Sequence, residues 1–194
     1  MRALRSVAVL LAAVLLATGT AVMSGQPAHA VGLPENVPFQ LVNYGSGLCV
    51  EVAPDPWTGA YALNGNAIRQ RTCNGSDLQK WRVIHAGQGP IGDLDFPFPR
   101  QLFMNVATGM CLDLTDGNSA NRTPLQQWTC NAGSTAMLWV VFGPTINIDI
   151  YRLRNARVST CVDIDAGSLQ DLARVQSYTC TEEFNPAQQF AFVV

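Results

Sequence analysis

Three couples of cysteines divide most of this chain into units built on one plan. The couples are Cys49 and Cys73, Cys111 and Cys130, and Cys161 and Cys180, with separations of 24, 19 and 19 positions. In each unit an asparagine stands six residues before the first cysteine, a threonine directly precedes the second, and an aromatic residue follows eight to ten positions later. These residues are Asn43, Asn105 and Asn155, then Thr72, Thr129 and Thr179, then Trp81, Trp139 and Phe190. A repeat of this length indicates units that bury their apolar faces against one another.

The local pattern of each unit is that of β-strands. Each first cysteine opens a short alternating run, at 49–52, 111–114 and 161–164, and turn-forming residues separate such runs. A helix-length periodic segment is missing from the sequence, so we predict an all-β protein. The repeats cover about 39–86, 101–143 and 150–194. Between the first two, residues 87–100 contain three glycines and three prolines and are predicted to form a surface loop.

The first thirty residues have the pattern of a secretory signal peptide. Arg2 and Arg5 precede an apolar run, and Ala28-His29-Ala30 fits a cleavage site, so we expect a signal peptide at 1–30 and a domain at 31–194. Cleavage would leave 10 basic and 14 acidic residues, a net charge of about −4. We therefore expect a secreted protein that binds neither nucleic acid nor membranes.

Export makes disulfides the expected state of an even number of cysteines. Six cysteines allow fifteen pairings, of which pairing within each couple is the most parsimonious because each closed loop is short. Neither a Cys-x-x-Cys motif nor a histidine lies near a cysteine, which argues against structural zinc. We expect no metal and no cofactor.

The repeats resemble those of the ricin B-type lectins, also classed as family 13 carbohydrate-binding modules. The resemblance lies in a Cys-x-Asp element, the second cysteine and a Gln-x-aromatic element, present at 79–81 and 188–190 and degraded at 137–139. It extends over residues 39–194. It implies a β-trefoil of three homologous repeats, each with one internal disulfide, in which Trp81, Trp139 and Phe190 pack in the core of a six-stranded barrel.

The resemblance also implies sugar-binding residues in the third and second repeats. A sugar offers hydroxyl groups to planar acceptors and a C–H face to an aromatic ring. The third repeat matches the family's set at Asp163, Gln176, Tyr178 and Gln188, with Ala187 in place of the family's asparagine and Asn185 nearby.

The second repeat keeps Asp113, Gln126 and Trp128, and departs from the set at Ala136 and Met137. The first repeat has lost the set, with Glu51, Arg71 and Leu78 at the corresponding positions, and we expect no sugar site there. We expect Glu51 and Arg71 to be solvated and to form at most a weak surface ion pair.

Each of these residues also has a purely structural interpretation. Asp113 and Asp163 could cap turns through side-chain hydrogen bonds. Trp128 and Tyr178 could be half-buried strand residues that pack on a neighbouring loop.

The sequence favours a secreted, monomeric, non-catalytic protein that binds galactosides or plant or microbial polysaccharides. A hydrolase is the second hypothesis, with Asp163 and Asp165, or Asp93 and Asp95, as paired carboxylates. Against it, the domain holds one histidine, His85, and no Gly-x-Ser-x-Gly motif. A protein-binding trefoil, such as an inhibitor or a toxin-targeting subunit, is the third hypothesis. Its candidate surface is the 87–100 segment with Phe96 and Phe98, whose rings could instead pack against the barrel.

Overall fold

Short alternating segments form twelve β-strands in the residues that the structure describes. The structure is a computed structural model that describes residues 33–92, 94–143, 149–158, 160–181 and 183–194, so the predicted signal peptide and Asp93 lie outside the described residues. The strands are β1 (Phe39–Asn43), β2 (Cys49–Val52), β3 (Ile68–Arg71), β4 (Lys80–Ile91), β5 (Leu94–Asn105), β6 (Cys111–Leu114), β7 (Thr123–Trp128), β8 (Trp139–Phe142), β9 (Arg152–Asn155), β10 (Thr160–Ile164), β11 (Val175–Thr179) and β12 (Phe190–Val193). Single-turn 3₁₀ helices lie at Asp77–Gln79, Thr115–Gly117, Thr135–Met137, Asp165–Gly167 and Pro186–Gln188.

Six of these strands form a closed barrel. β1 pairs with β12 on one side and with β4 on the other, and the series continues through β5 and β8 to β9. A bridge between Tyr151, next to β9, and Phe190 at the start of β12 completes the ring. Closure of this kind removes the unpaired edges that an open sheet would expose.

The other six strands form three hairpins, one in each repeat. β2 pairs with β3, β6 with β7, and β10 with β11. The hairpins meet one another through pairing of β7 with β11 and through bridges from Ala67 to Gln126 and from Arg69 to Arg174. A six-stranded barrel with three hairpins is a β-trefoil, which confirms the predicted fold class.

The three repeated aromatic residues lie in the barrel core, as predicted. Trp81 is 1% exposed, and Trp139 and Phe190 are fully buried. The two indole Nε1 groups donate to Val50 O and Leu112 O, both at 3.1 Å. Each tryptophan therefore fills the core and also satisfies a backbone carbonyl of its own hairpin.

The cysteines pair within their couples, as the sequence favours. The disulfides join Cys49 to Cys73, Cys111 to Cys130 and Cys161 to Cys180. Each links the first strand of a hairpin to the residues that follow its second strand. By loop closure, each contributes about 3 kcal/mol to the free energy of unfolding.

The repeated asparagines connect neighbouring repeats. Each side-chain oxygen accepts from a backbone N–H in the following turn, and each Nδ2 donates to carbonyls at the 3₁₀ helix of a different repeat. The bonds to those carbonyls join Asn43 Nδ2 to Pro186 O at 3.0 Å, Asn105 Nδ2 to Leu78 O at 2.9 Å, and Asn155 Nδ2 to Ala136 O at 3.1 Å. The asparagine that the repeat preserves is thus a buried connection between repeats.

The repeated threonines make a second set of such connections. The backbone N–H of each donates to the side chain of an Asx residue in another repeat: Thr72 to Asp171 at 2.6 Å, Thr129 to Asn64 at 2.7 Å, and Thr179 to Asn121 at 2.7 Å. The loop between the two strands of each hairpin is therefore fastened to the hairpin of the next repeat in the ring.

The predicted surface loop at 87–100 is instead the outer part of a long hairpin. β4 and β5 continue past the barrel, with Gly89 opposite Phe98 and Ile91 opposite Leu94. The pairing register shifts twice on the way, after His85 and after Gly89. Irregular two-stranded pairing tolerates proline, which explains why glycines and prolines do not end these strands.

The two phenylalanines of this hairpin differ in their packing. Phe98 is half-buried, with its ring centroid 5.5 Å from that of Phe142 on β8. Phe96 packs against Phe98 at 5.1 Å but remains 63% exposed. One ring therefore packs towards the barrel, and the other faces solvent.

Candidate functional site

An acidic residue occupies the same position in all three hairpins. Asp163 lies opposite Gln176, Asp113 opposite Gln126, and Glu51 opposite Arg69. Side chains of directly opposed residues share one face of a two-stranded sheet. The repeat thus places a carboxylate and a hydrogen-bonding partner together in each hairpin, and the surroundings of each carboxylate decide what it can do.

In the third repeat this carboxylate borders a cleft of about 340 Å³, which we call cleft three. Asp163, Gln176 and Tyr178 line it from the hairpin. Asn185 and Ala187 line it from the 3₁₀ helix before β12. Three of the four residues predicted for this site therefore meet around one opening.

The fourth, Gln188, lies behind the carboxylate and is fully buried. Its Nε2 donates to Asp163 Oδ2 at 3.2 Å and to Thr179 O at 3.0 Å, and its Oε1 accepts from Thr181 N at 3.1 Å. Gln176 Nε2 donates to the other carboxylate oxygen at 2.9 Å. The two glutamines hold Asp163 in one orientation, and Gln188 acts as a positioning residue.

Burial changes the acidity of this group. Asp163 is 6% exposed, and loss of solvation raises the pKa of its carboxyl above the ordinary value of 3.8. Hydrogen bonds from Gln176 and Gln188 oppose that rise, and the charge of Asp165 adds to it. The result is a fixed hydrogen-bond acceptor whose charge depends on pH in the acidic range.

Arg122 enters cleft three from the second repeat, and the sequence reading did not include it. Its backbone N–H donates to Ser177 O at 2.9 Å, and its φ of 69° is left-handed. The equivalent positions are Gly65, whose N–H donates to Gln127 O, and Leu172, whose N–H donates to Gln70 O. Aligning the repeats from each second cysteine would have found this position, but not that it faces another repeat's cleft.

Ala187 stands where the resemblance places an asparagine, and Asn185 lies two residues before it. Asn185 lines cleft three, and its Oδ1 accepts from Ala187 N at 3.1 Å to cap the 3₁₀ helix. Its Nδ2 is then the group of this side chain that can donate to a ligand.

The second repeat forms a larger cleft of about 660 Å³, cleft two, which contains all three residues predicted for it. Asp113 Oδ1 accepts from Gln126 Nε2 at 2.8 Å. Met137 stands where Gln188 stands in the third repeat, so Asp113 lacks the second glutamine. Trp128 is 42% exposed and presents the largest aromatic surface in either cleft.

Arg157 lines cleft two from the turn between β9 and β10. A Cβ atom at Gly117 would lie 2.5 Å from Arg157 Nη1, so the glycine makes room for the guanidinium group. Both clefts therefore combine a carboxylate, an aromatic ring and an arginine supplied by another repeat.

The expectation that Glu51 is solvated is wrong, whereas the Arg71 side chain is 46% exposed, as expected. Glu51 is 2% exposed and binds Arg69, with Oε1 accepting from Nη2 at 2.7 Å and from Nε at 3.1 Å. Gln79 Nε2 donates to Glu51 Oε2 at 2.9 Å. Arg71 Nη1 lies 3.7 Å from Glu51 Oε1, which is too far for a hydrogen bond. Arg69 is the cross-strand neighbour, which is why it and not Arg71 takes the carboxylate.

Within residues 33–194, leaving aside the positions that are not described, no group of three His, Cys, Asp or Glu side chains is arranged to hold a metal ion. The described part of the chain also contains no helix long and apolar enough to cross a membrane.

Known proteins resemble this chain in fold. Residues 100–178 match a family model described as ricin-type β-trefoil lectin domain-like. A designed threefold-symmetric protein, ThreeFoil, superposes with a TM-score of 0.67 at 20% identity, covering 81% of this chain and 98% of that one. A ricin B-like lectin from Macrolepiota procera, solved with lactose, gives 0.63 at 13% identity, covering 84% and 99%.

An exo-β-1,3-galactanase from Clostridium thermocellum gives a TM-score of 0.68 at 23% identity, covering 84% of this chain and 31% of the enzyme. Identities this low show a common fold and no more. A comparison with curated protein sequences finds no match. The chain is a β-trefoil, and its residues 100–178, which form the second repeat and most of the third, are similar to the ricin-type lectin-like family model.

Proposed function

We propose that this chain is a secreted, monomeric, non-catalytic carbohydrate-binding protein that takes galactosides or plant or microbial polysaccharides in clefts three and two. The observation that carries the proposal is the carboxylate of Asp163, fixed by two buried glutamines at the edge of a cleft that also holds Tyr178. Cleft two repeats the arrangement with Asp113 and Trp128.

The chemistry of the two clefts suits a sugar. An ionised carboxylate can accept two neighbouring hydroxyl groups through charge-assisted hydrogen bonds. The face of a pyranose ring carries C–H groups that stack on Tyr178 or Trp128. The lactose complex of the Macrolepiota procera lectin and the galactanase are the basis for including galactose-containing ligands.

Two clefts on one chain favour a polymeric ligand. A single shallow cleft gives weak binding, but a polysaccharide held in one cleft raises the effective concentration of its other units near the second. We therefore expect tighter binding to a polymer than to its monosaccharide.

Calorimetric titration with lactose, β-1,3-galactan, xylan and arabinan tests the proposal. The wild type is expected to bind at least one of them, and the double variant Tyr178→Ala, Trp128→Ala is expected to lose that binding. Equal binding by the wild type and the double variant would show that the clefts are not the sites. Release of reducing sugar by the purified wild type would replace the binding role with a hydrolase.

The exposed ring of Phe96 favours a second candidate function, a protein-binding trefoil. A large aromatic side chain at the end of a projecting hairpin is a common feature of protein interfaces. One pair of results distinguishes carbohydrate binding from protein binding. If the wild type binds none of the four glycans, and Phe96→Ala abolishes binding to a protein partner, the protein-binding function is favoured.

Replacing Gln188 by methionine is expected to weaken binding in cleft three about three- to tenfold. The change copies Met137 of the second repeat and removes the hydrogen bond that fixes Asp163 Oδ2. The reciprocal change Met137→Gln, which gives Asp113 a second donor, is expected to strengthen cleft two. Both are measured by calorimetry in a background with the other cleft's aspartate replaced, and opposite signs for the two variants are required.

Glycan binding is expected to disappear on acidification at a higher pH than the ordinary aspartate pKa of 3.8. Burial raises the pKa of both Asp113 and Asp163, and only the ionised form accepts two hydroxyl groups. Titrations between pH 7 and pH 4 would follow the loss. A glycan affinity that stays constant from pH 7 to pH 4 would contradict the role of these carboxylates in binding.

The same two groups do not destabilise the fold in this pH range. Between pH 3.8 and the raised pKa, the folded chain binds protons that the unfolded chain does not, so protonation of these groups increases the free energy of unfolding as the pH falls. Near-UV circular dichroism at each pH confirms that the chain is folded while binding is lost.

A further inference from the structure

An exposed tryptophan lies outside both clefts. Trp57 is 92% exposed, and it stands in the loop at 53–67 between β2 and β3 of the first repeat. This loop has 15 residues, against 8 between β6 and β7 and 10 between β10 and β11. The repeat that has lost the sugar-binding residues of its own hairpin therefore carries the longest loop and the most exposed large aromatic side chain.

The turn that carries Trp57 is rigid. Asp55 Oδ1 accepts from Trp57 N at 3.2 Å, from Thr58 N at 2.8 Å and from Thr58 Oγ1 at 2.7 Å. Asp55 N donates to Ala60 O at 2.8 Å, and Gly59 N donates to Asp55 O at 2.9 Å. Pro54 and Pro56 fix the backbone on either side of Asp55. Because the backbone of this turn is already ordered, a ligand that stacks on the indole does not have to order the loop.

The loop is attached to the strand that ends in Trp128. Asn66 Nδ2 donates to Ala60 O at 2.8 Å, and Gln127 N donates to Asn66 O at 2.9 Å. Thr129 N donates to Asn64 Oδ1 at 2.7 Å. Both chain neighbours of Trp128 are thus hydrogen-bonded to the loop that carries Trp57.

The same loop borders cleft two. A Cβ atom at Gly65 would lie 3.9 Å from Oε1 of Gln126, which lines that cleft. Gly65 is the counterpart of Arg122, which lines cleft three from the preceding repeat. Threefold symmetry therefore places Gly65, near the C-terminal end of the 53–67 loop, beside cleft two, and the bond from Asn66 Nδ2 to Ala60 O connects that end of the loop to the turn of Trp57.

We propose that Trp57 is an additional stacking platform for a polysaccharide that occupies cleft two. This inference rests on the proposed function, because it assumes a glycan in that cleft. The glycan chain leaves the cleft along the loop, and one of its rings stacks on the indole of Trp57.

A second copy of this chain is the competing occupant of an exposed indole. A self-association surface would be expected to bury a patch of several hundred square ångströms. Trp57 projects from the tip of a hydrogen-bonded turn, and the other exposed apolar side chains of its loop, Tyr61 and Leu63, are only 38% and 41% exposed, so the indole suits the face of one sugar unit better than a flat protein surface.

The test uses Trp57→Ala, with Phe96→Ala as the matched control because Phe96 is also an exposed ring on a projection. Both are made in an Asp163→Asn background, so that cleft two dominates binding. The probes are oligosaccharides of one to six units from whichever of xylan, arabinan or galactan the wild type binds. We expect Trp57→Ala to leave the affinity for the single unit unchanged and to weaken binding of the longest by about three- to tenfold. Phe96→Ala is expected to change neither.

Three results would overturn the inference. Equal affinities of Trp57→Ala and its parent at every length would show that Trp57 takes no part, while the proposed function stands. Absence of binding by the wild type to all four glycans would remove the proposed function and this inference together. A wild-type dimer in sedimentation that Trp57→Ala converts to a monomer would assign the ring to a second copy of the chain.

Discussion

Replacing Glu51 by leucine is expected to lower the free energy of unfolding by about 3 kcal/mol, although Glu51 lines neither cleft. The carboxylate is 2% exposed and is held by Arg69 and Gln79. Without it, the Arg69 guanidinium would remain largely buried and without its anion. The Arg69 side chain is 17% exposed, so water still solvates part of the unpaired guanidinium group. We therefore expect a loss of stability at the low end of the range for buried ion pairs.

Denaturant unfolding with the disulfides intact measures this effect. Arg71→Met is the matched control, because the Arg71 side chain is 46% exposed and lies 3.7 Å from the same carboxylate, and it should cost less than about 1 kcal/mol. The double variant Glu51→Leu, Arg69→Met removes both charges and is expected to recover most of the loss. A double variant no more stable than Glu51→Leu alone would show that the pair is not what stabilises this hairpin.

The residue types that recur in all three repeats predicted the scaffold of the fold. The cysteine couples, the asparagines and the core aromatics each occur three times in the same order and at similar spacings. Each takes part in contacts that the threefold fold makes three times: a disulfide, a connection between repeats, or a place in the core. The role of a residue that has the same function in all three repeats can be predicted from one sequence, because the three repeats can be compared with one another.

Residues that differ between the repeats were harder to interpret. Glu51 looked like a lost sugar ligand with a loose partner at Arg71, but its cross-strand neighbour Arg69 converts it into a buried ion pair. Arg122 and Arg157 reach their clefts from other repeats, and spacing along the chain carries no information about such contacts. The outer part of the β4–β5 hairpin, at 87–100, was missed because prolines and glycines in a two-stranded, irregular ladder leave the same sequence pattern as a loop.

Replacing Asp163 by asparagine is expected to weaken glycan binding in cleft three by about 50-fold. The carboxylate accepts hydrogen bonds from Gln176 and Gln188 and still has lone pairs directed at the cleft. A carboxamide has one acceptor oxygen, and its NH₂ group would face the NH₂ group of one glutamine. The asparagine side chain therefore loses both the negative charge and one of the two hydrogen bonds that orient it.

Asp113→Asn in cleft two serves as the comparison. Asp113 has one glutamine partner, so its carboxylate is less firmly oriented and its replacement is expected to cost less than that of Asp163. The double variant should bind no glycan measurably. Calorimetry on the two single variants and the double variant separates the clefts, and a larger loss for Asp113→Asn would reverse the proposed ranking.

Asp163→Asn has two opposing effects on the stability of the fold. Burial raises the pKa of Asp163, which means that the ionised side chain is less favourable in the folded chain than in the unfolded chain at neutral pH. Removing that charge relieves an unfavourable term, and this gain offsets the cost of placing the new NH₂ group against that of one glutamine, while the remaining oxygen still accepts from the other. We expect a midpoint of thermal unfolding close to that of the wild type. A variant that binds weakly and melts early would instead identify Asp163 as a structural residue, the turn-capping role that its sequence position also allows.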